Sequence, residues 1–215
     1  MTTAKHIDSN TGKPKIILDL CGGTGAWSRP YKEAGYDVRL ITLPEHDVTT
    51  YELPSNVYGI LAAPPCTEFS VLNCVASPRE RDEVTGIMTV FACLRIIALA
   101  APSFWALENP RGFLQSWMSR PQFKFQPWEF GDAWTKATYI WGLFNTPDKK
   151  YSQWAEVPKL NLYTRPGRQK PSLAYLHKSA QRDMPQLQDH KVATDAEFRA
   201  ITPPGFAHAF FRANP

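Results

Sequence analysis

Three short stretches of this chain combine residue types that do chemistry with a backbone that can hold them still. The first is Ala63-Pro64-Pro65-Cys66-Thr67-Glu68-Phe69-Ser70, which follows the apolar run 57–63. Two prolines fix the chain just before a cysteine. A thiol held at a strand end is placed as a nucleophile once its proton is taken or its pKa lowered. The second is Glu108-Asn109-Pro110, just beyond the apolar stretch 103–107. A carboxyl set against Phe104, Trp105 and Leu107 is desolvated, which favours its proton-donating form. The third is Asp19-Leu20-Cys21-Gly22-Gly23-Thr24-Gly25. Glycines there let a ligand approach the backbone, and the start of a following helix favours a carboxylate or phosphate. The spacing is neither GxGxxG nor GxxxxGK[ST], which excludes the dinucleotide and P-loop readings. Asp19, at the strand end, organises such a loop or a bound amino-acid moiety.

Each piece also has a plain reading. A lone cysteine is usually a small buried hydrophobe, and Cys21, Cys74 and Cys93 are read that way. The glycines can serve a tight turn for steric reasons, and Glu108 can sit in a solvated surface turn. The position of Cys66 after a buried strand and two prolines reverses the preference, and its pairing with a second strand-end carboxyl strengthens both.

The elements that must position these groups follow from periodicity. Residues 15–20, 36–43 and 57–63 read as buried strands. Residues 26–34 can form a helix ended by Gly35, and 81–100 carry apolar residues at helical spacing: Val84, Ile87, Met88, Phe91, Leu94 and Ile97. Residues 103–107 form the strand entering Glu108. Residues 122–130 and 137–144 read as two more strands, a hairpin around Gly131. Trp128, Trp134 and Trp141 lie in or beside them and are assigned to packing. Thr194 caps a short helix, and Pro203-Pro204-Gly205 introduces another over 206–212. Strands alternating with helices imply an α/β sheet covered on both faces. In such sheets ligand crevices form at the carboxyl ends of the strands, where Cys66, Glu108 and the glycine turn all fall.

Composition sets the frame. With 215 residues and 43% hydrophobic content the chain supports one sizeable core. Neither a membrane span nor a signal peptide is evident, so a cytoplasmic protein is expected. The four cysteines show no paired spacing, so neither a zinc site nor a disulfide framework is expected. Net charge is +4, and it is uneven: residues 149–191 hold nine Lys/Arg against three Asp/Glu, a balance of +6, which leaves −2 for the rest. A local basic patch suits a polyanion such as nucleic acid, as well as a merely solvated loop. In it Tyr163, Arg165, Arg168 and Lys170 interleave an aromatic ring with cations, and Arg165, Arg168 and Lys170 are the candidate phosphate contacts. The expected organisation is a flexible leader over 1–14, a catalytic domain over 15–144, a basic loop-rich insertion over 145–191, and a segment 192–215 that completes the catalytic domain.

A DLxxGxG loop, a PPC with phenylalanine and serine nearby, and a later EN dipeptide, in this order, resemble the DNA (cytosine-5)-methyltransferases. Ile201-Thr202-Pro203-Pro204-Gly205-Phe206-Ala207 is similar to the family's final cofactor-side motif, and the small size and FGDAWTKATYIWG are similar to compact phage or prophage members, with roles in restriction-modification. The resemblance implies a Rossmann-like sheet that uses S-adenosyl-L-methionine, with DNA as partner. It implies that Cys66 adds to carbon 6 of cytosine and that Glu108 holds the ring at N3 and the exocyclic amine. Asp19, Gly22, Gly23 and Gly25 would line the methionine side of the cofactor, Asp47 would lie near the adenine, and Pro64 would border the transferred methyl group. The chain departs from the family in three places. Ile41-Thr42-Leu43-Pro44 lacks the acidic residue that usually meets the cofactor ribose. The QxRxR motif is missing, and Lys136 stands in roughly its place. The target recognition region is reduced to about 145–191. Two other readings stand beside this one: the same chemistry on RNA or a free nucleotide, and a degenerate methyltransferase fold that only binds nucleic acid.

Overall fold

The computed structural model describes residues 6–9, 12–70 and 82–215. Cys74 lies outside them. Six strands form one sheet: β1 (Ile16–Leu20), β2 (Asp37–Ile41), β3 (Val57–Ala62), β4 (Phe104–Pro110), β5 (Phe123–Phe125) and β6 (Thr138–Leu143). Their order is β2-β1-β3-β4-β6-β5. The first four run parallel, while β6 is antiparallel to both β4 and β5. The α helices are α1 (Arg29–Glu33), α2 (Glu83–Ala100), α3 (Gln115–Met118), α4 (Asp195–Ala200) and α5 (Pro204–Ala213).

The strands β1 and β3 read as mostly apolar runs, Asp19 apart, because both faces of the sheet are covered. Leu18, Leu20, Ile60, Ala62 and Leu107 pack on one face with Ile87, Val90, Cys93, Ile96 and Ile97 of α2. Ile17, Leu61, Ala106 and Ile140 pack on the other with Tyr31 of α1 and Phe206 and Phe210 of α5. The period of two along each strand thus feeds two separate cores.

Four details differ from the reading of the sequence. First, α2 is rotated: Val84, Met88 and Phe91 face solvent, and Val90, Cys93 and Ile96 are buried instead. The helix is apolar almost all round, so spacing alone leaves its phase open and the sheet decides it. Second, β5 stops at Phe125, and Pro127–Phe130 form a 3-10 turn fixed by a capping box between Gln126 and Glu129. Third, residues 145–191 are more than a surface loop. They form four 3-10 turns, and Leu162, Leu173, Leu176, Met184 and Leu187 make a third apolar cluster with Trp134, Phe198 and Ile201. Fourth, the described part of the leader folds back: Ile7 bridges Pro14, and His6 stacks on Tyr36. Thr194 does cap α4, in a capping box with Glu197. Among the described residues no helix is long and apolar enough to cross a membrane.

Candidate active site

The glycine turn leaves β1 at its carboxyl end. The Asp19 side chain is fully buried beneath it and accepts a hydrogen bond from Ser28 Oγ at 2.5 Å. Burial pushes this carboxyl up to about 6, partly offset by the Ser28 hydroxyl. Its Oδ1 has no hydrogen-bond partner among the described residues. Glycine is required directly above: a Cβ on Gly22 would lie 2.4 Å from the Asp19 carboxyl. Gly23, by contrast, opens onto free space. Asp19 therefore shapes the loop from below, whereas Gly23 presents backbone outward. Ser28 is the residue that the sequence reading missed. It precedes Pro30 at the start of α1, the position of a helix cap. Its hydroxyl serves Asp19 instead.

Asp47 is exposed in the turn after β2, where its Oδ1 accepts from Thr49 N and Thr49 Oγ1, both at 2.8 Å. Those bonds hold its carboxyl below the usual range. Its charge opposes ionisation of the Cys21 thiol.

Cys66 follows β3. Its carbonyl accepts from Phe69 N and Ser70 N, at 3.0 and 2.8 Å, which curls residues 66–70 into a turn. Glu108 lies in β4 opposite Ile140 of β6 and is 8% exposed. Lys136 enters from the stretch before β6, where its carbonyl accepts from Thr138 Oγ1 at 2.8 Å. The last two meet. Lys136 Nζ lies 3.6 Å from Glu108 Oε1, with both side chains mostly buried. Glu108 is thus not alone among apolar side chains, as its tripeptide suggested, because a cation from beyond the next strand faces it. Burial pushes the Cys66 thiol up, the Lys136 charge pulls it down and the Glu108 charge pushes it up again.

The two strand ends are tied directly together. Asn109 Nδ2, fully buried, donates to the carbonyl of Pro64 at 3.0 Å. Phe113 N donates to Phe69 O at 2.8 Å, and Ser70 bridges Gly112. Gly112 has no room for a side chain, since its Cβ would meet Phe69 O at 1.9 Å. Pro64 is buried in this seam.

The cations of 145–191 divide in two. Arg165 and Arg168 are exposed on one turn, with the Arg165 guanidinium 4.4 Å over the Tyr175 ring. Lys170 is pinned inward, 4.3 Å over Trp128 and 5.6 Å from the ring of Trp154. The segment abuts the site. Thr135 N donates to Pro171 O and Leu173 N donates to Thr135 O, so the residue before Lys136 is paired into it. The sequence carries no signal for this pairing.

Among the described residues no group of three or more His, Cys, Asp or Glu is arranged to hold a metal ion. No family model matches the chain, and no curated protein matches it. A solved structure described as a candidate DNA modification methyltransferase, encoded within a prophage of E. coli, is similar with a TM-score of 0.46 and 19% identity. The likeness covers 60% of this chain and 46% of that one, so the chain spans less than half the length of that protein. At this level it fixes neither fold family nor activity.

Proposed function

We propose that the chain transfers a methyl group from S-adenosyl-L-methionine to carbon 5 of cytosine in DNA, through a covalent adduct with Cys66. The observation that supports this reading is the ion pair of Lys136 with Glu108 at the carboxyl edge of a mostly parallel sheet, next to the strand end that carries Cys66 and is tied to it by the bond from Asn109 to Pro64. Cytosine is a poor carbon nucleophile until addition at carbon 6 breaks its aromaticity, so the chemistry needs both a thiolate and a group on the far edge of the ring.

The Cys66 thiol attacks carbon 6 while Glu108 holds N3 and the exocyclic amine. Glu108 also governs the thiol. Its charge opposes thiolate formation in the free protein. Once it shares a proton with N3, that opposition falls, and Lys136 is left to work against burial in favour of the thiolate. Lys136 then balances the thiolate and steadies the base. Pro64 and Asn109 fix the approach of the nucleophile. After methyl transfer, loss of the carbon-5 proton expels Cys66. The target base has to leave the duplex to reach these side chains.

The residues present fit the cofactor. S-adenosyl-L-methionine supplies an electrophilic methyl group on a positively charged sulfur. Asp19, whose Oδ1 lacks a partner, and Asp47 place two carboxylates about the glycine loop, and Gly22, Gly23 and Gly25 keep its backbone approachable. On this reading the sheet is a Rossmann-like methyltransferase sheet over 15–144, completed by 192–215. Residues 145–191 serve as a reduced recognition region in which Arg165, Arg168 and Lys170 meet phosphates.

The test is duplex DNA carrying 5-fluorocytosine, incubated with the cofactor. A covalent complex is expected with the wild type and none with Cys66→Ser, which also loses methyl incorporation. Glu108→Gln is expected to slow turnover by roughly 100-fold or more. Wild-type turnover by Cys66→Ser would refute the reading. Incorporation into tRNA or dCMP but not duplex DNA would keep the chemistry and change the substrate.

A further inference from the structure

A cavity of about 550 Å³ opens between α1, the start of α5 and the segment 145–191. No residue of the proposed cofactor or catalytic site lines it. Its volume is that of a small-molecule site. Its walls are of two kinds. Phe130, Leu160 and Pro204, with Pro30 of α1, give an apolar surface. Arg29, Lys150 and His190 give a polar one, with Glu33 and His208 exposed beside them.

His190 is the residue that points to a ligand. It is 5% exposed, and what it exposes lines this cavity. Its backbone is tied at both groups: the N–H donates to Leu187 O at 3.1 Å, and the carbonyl accepts from Gln181 Nε2 at 2.6 Å. The ring, by contrast, has no hydrogen-bond partner among the described residues. A buried polar ring left unpaired is costly, and a bound molecule can supply the missing partner. Burial and the positive charge of Arg29 hold His190 below its ordinary range, against the charge of Asp189. The ring is therefore neutral and offers one donor and one acceptor. The cations are available too. Arg29 pairs with Asp189 at 3.6 Å, but Asp189 is 84% exposed, and such a surface pair holds a guanidinium weakly. Lys150 is anchored by its N–H on Glu129 O, and its side chain is exposed. Asp132, also in the wall, is already engaged by Gly205 N and Gln186 Nε2, so the start of α5 is satisfied without a ligand.

We propose that this cavity binds a nucleoside monophosphate, its phosphate on Arg29 and Lys150, its base laid against Phe130, Leu160 and Pro204 with an edge toward His190. A guanidinium and an ammonium suit a phosphate monoester, the first as a planar fork and the second as a point charge. A bare anion would leave the apolar wall and most of the volume unfilled. A purely apolar ligand would leave His190 unpaired. A flat heterocycle carries donors and acceptors on its edge and apolar faces above and below, which matches both walls. Glu33, one turn after Arg29 in α1, accepts from the sugar hydroxyls. The site is separate from the methyl-transfer reading and does not rest on it.

The experiment is calorimetric titration of the full chain, with S-adenosylhomocysteine in excess, by AMP, CMP, adenosine and inorganic phosphate. Stoichiometric binding of AMP or CMP is expected, with adenosine and phosphate each weaker by about tenfold or more. Arg29→Gln and Lys150→Gln, with folding checked by circular dichroism, are each expected to weaken the nucleotide by about tenfold. His190→Phe keeps a ring in place and removes its polar edge; it is expected to weaken the nucleotide and to leave phosphate unchanged. Binding of neither nucleotide overturns the proposal. So does a nucleotide that binds no tighter than phosphate, which marks an adventitious ion only. Unchanged affinity in Arg29→Gln and Lys150→Gln overturns it as well. Nucleotide binding that vanishes under excess S-adenosylhomocysteine puts the nucleotide in the cofactor site and sinks it too.

Discussion

The seam around Cys66 and the basic segment 145–191 are built by opposite means. At the seam, two neighbouring parallel strands deliver Cys66 and Glu108, and every tie between them crosses about 45 residues of chain: Asn109 to Pro64, Phe113 to Phe69, Ser70 to Gly112. In the segment the secondary structure is local, and packing and single backbone bonds tie it to the rest of the chain. Its 3-10 turns close on themselves, Glu156 caps Gln153, and His177 receives Ser179 N. Apolar pins such as Leu173 and Met184 anchor it, and its cations point outward or lie on aromatic rings. Groups held within a few ångströms of one another are fixed by the sheet, and the exposed cations are carried by loops.

That contrast is open to attack at its joints. Gly112→Ala strikes the seam, since the new methyl group meets the Phe69 carbonyl. The expected cost is roughly 3 kcal/mol of stability, seen in chemical denaturation, with loss of the covalent complex on fluorinated DNA in the protein that still folds. A fall of less than 0.5 kcal/mol, on the scale of about one surface change, would show that the seam is not rigid.

Asp132 ties the segment to α5, outside the seam. Its Oδ1 accepts from Gln186 Nε2 at 3.3 Å, and its Oδ2 accepts from Gly205 N at 2.9 Å, at the start of α5. Burial raises this carboxyl from 3.8 to about 7. A raised acid keeps its proton in the folded state where the unfolded chain has lost it, so stability falls as pH climbs from about 4 to about 7 and levels off above. Relative to Asp132→Asn, the wild type is expected to lose on the order of 2–4 kcal/mol between pH 4 and pH 8. Parallel pH profiles for the two proteins would contradict this.

The smallest effect on the fold belongs to the segment. Arg165→Ala with Arg168→Ala is expected to leave stability within about 0.5 kcal/mol while lowering the salt slope of duplex binding by about 2. Lys170→Ala removes a cation packed on two tryptophans, so its expected effect is on packing as well as on binding. If all three substitutions behave alike, the division of the cations is wrong.

Much of the seam was legible before any coordinates. Apolar runs ending in PPC and in EN placed two reactive groups at strand ends, because a buried strand needs an unbroken apolar run and prolines stop it. The glycine turn followed from the same logic. Lys136 was legible only as standing near a missing motif. Its approach to Glu108 required β6 to return antiparallel beside β4, a pairing that no local pattern encodes. The phase of α2 was misread because a helix that is apolar on nearly every side carries no internal reference for which side is buried.

By itself, then, the sequence determined most of the elements and the strand ends at which Cys66 and Glu108 stand, since steric limits and hydrophobic periodicity act within a few residues of each position. Only the tertiary structure decided who meets whom: Ser28 with Asp19, Asn109 with Pro64, Lys136 with Glu108. Those contacts depend on strand order and helix rotation, which are set by filling two cores at once rather than by any one stretch of chain.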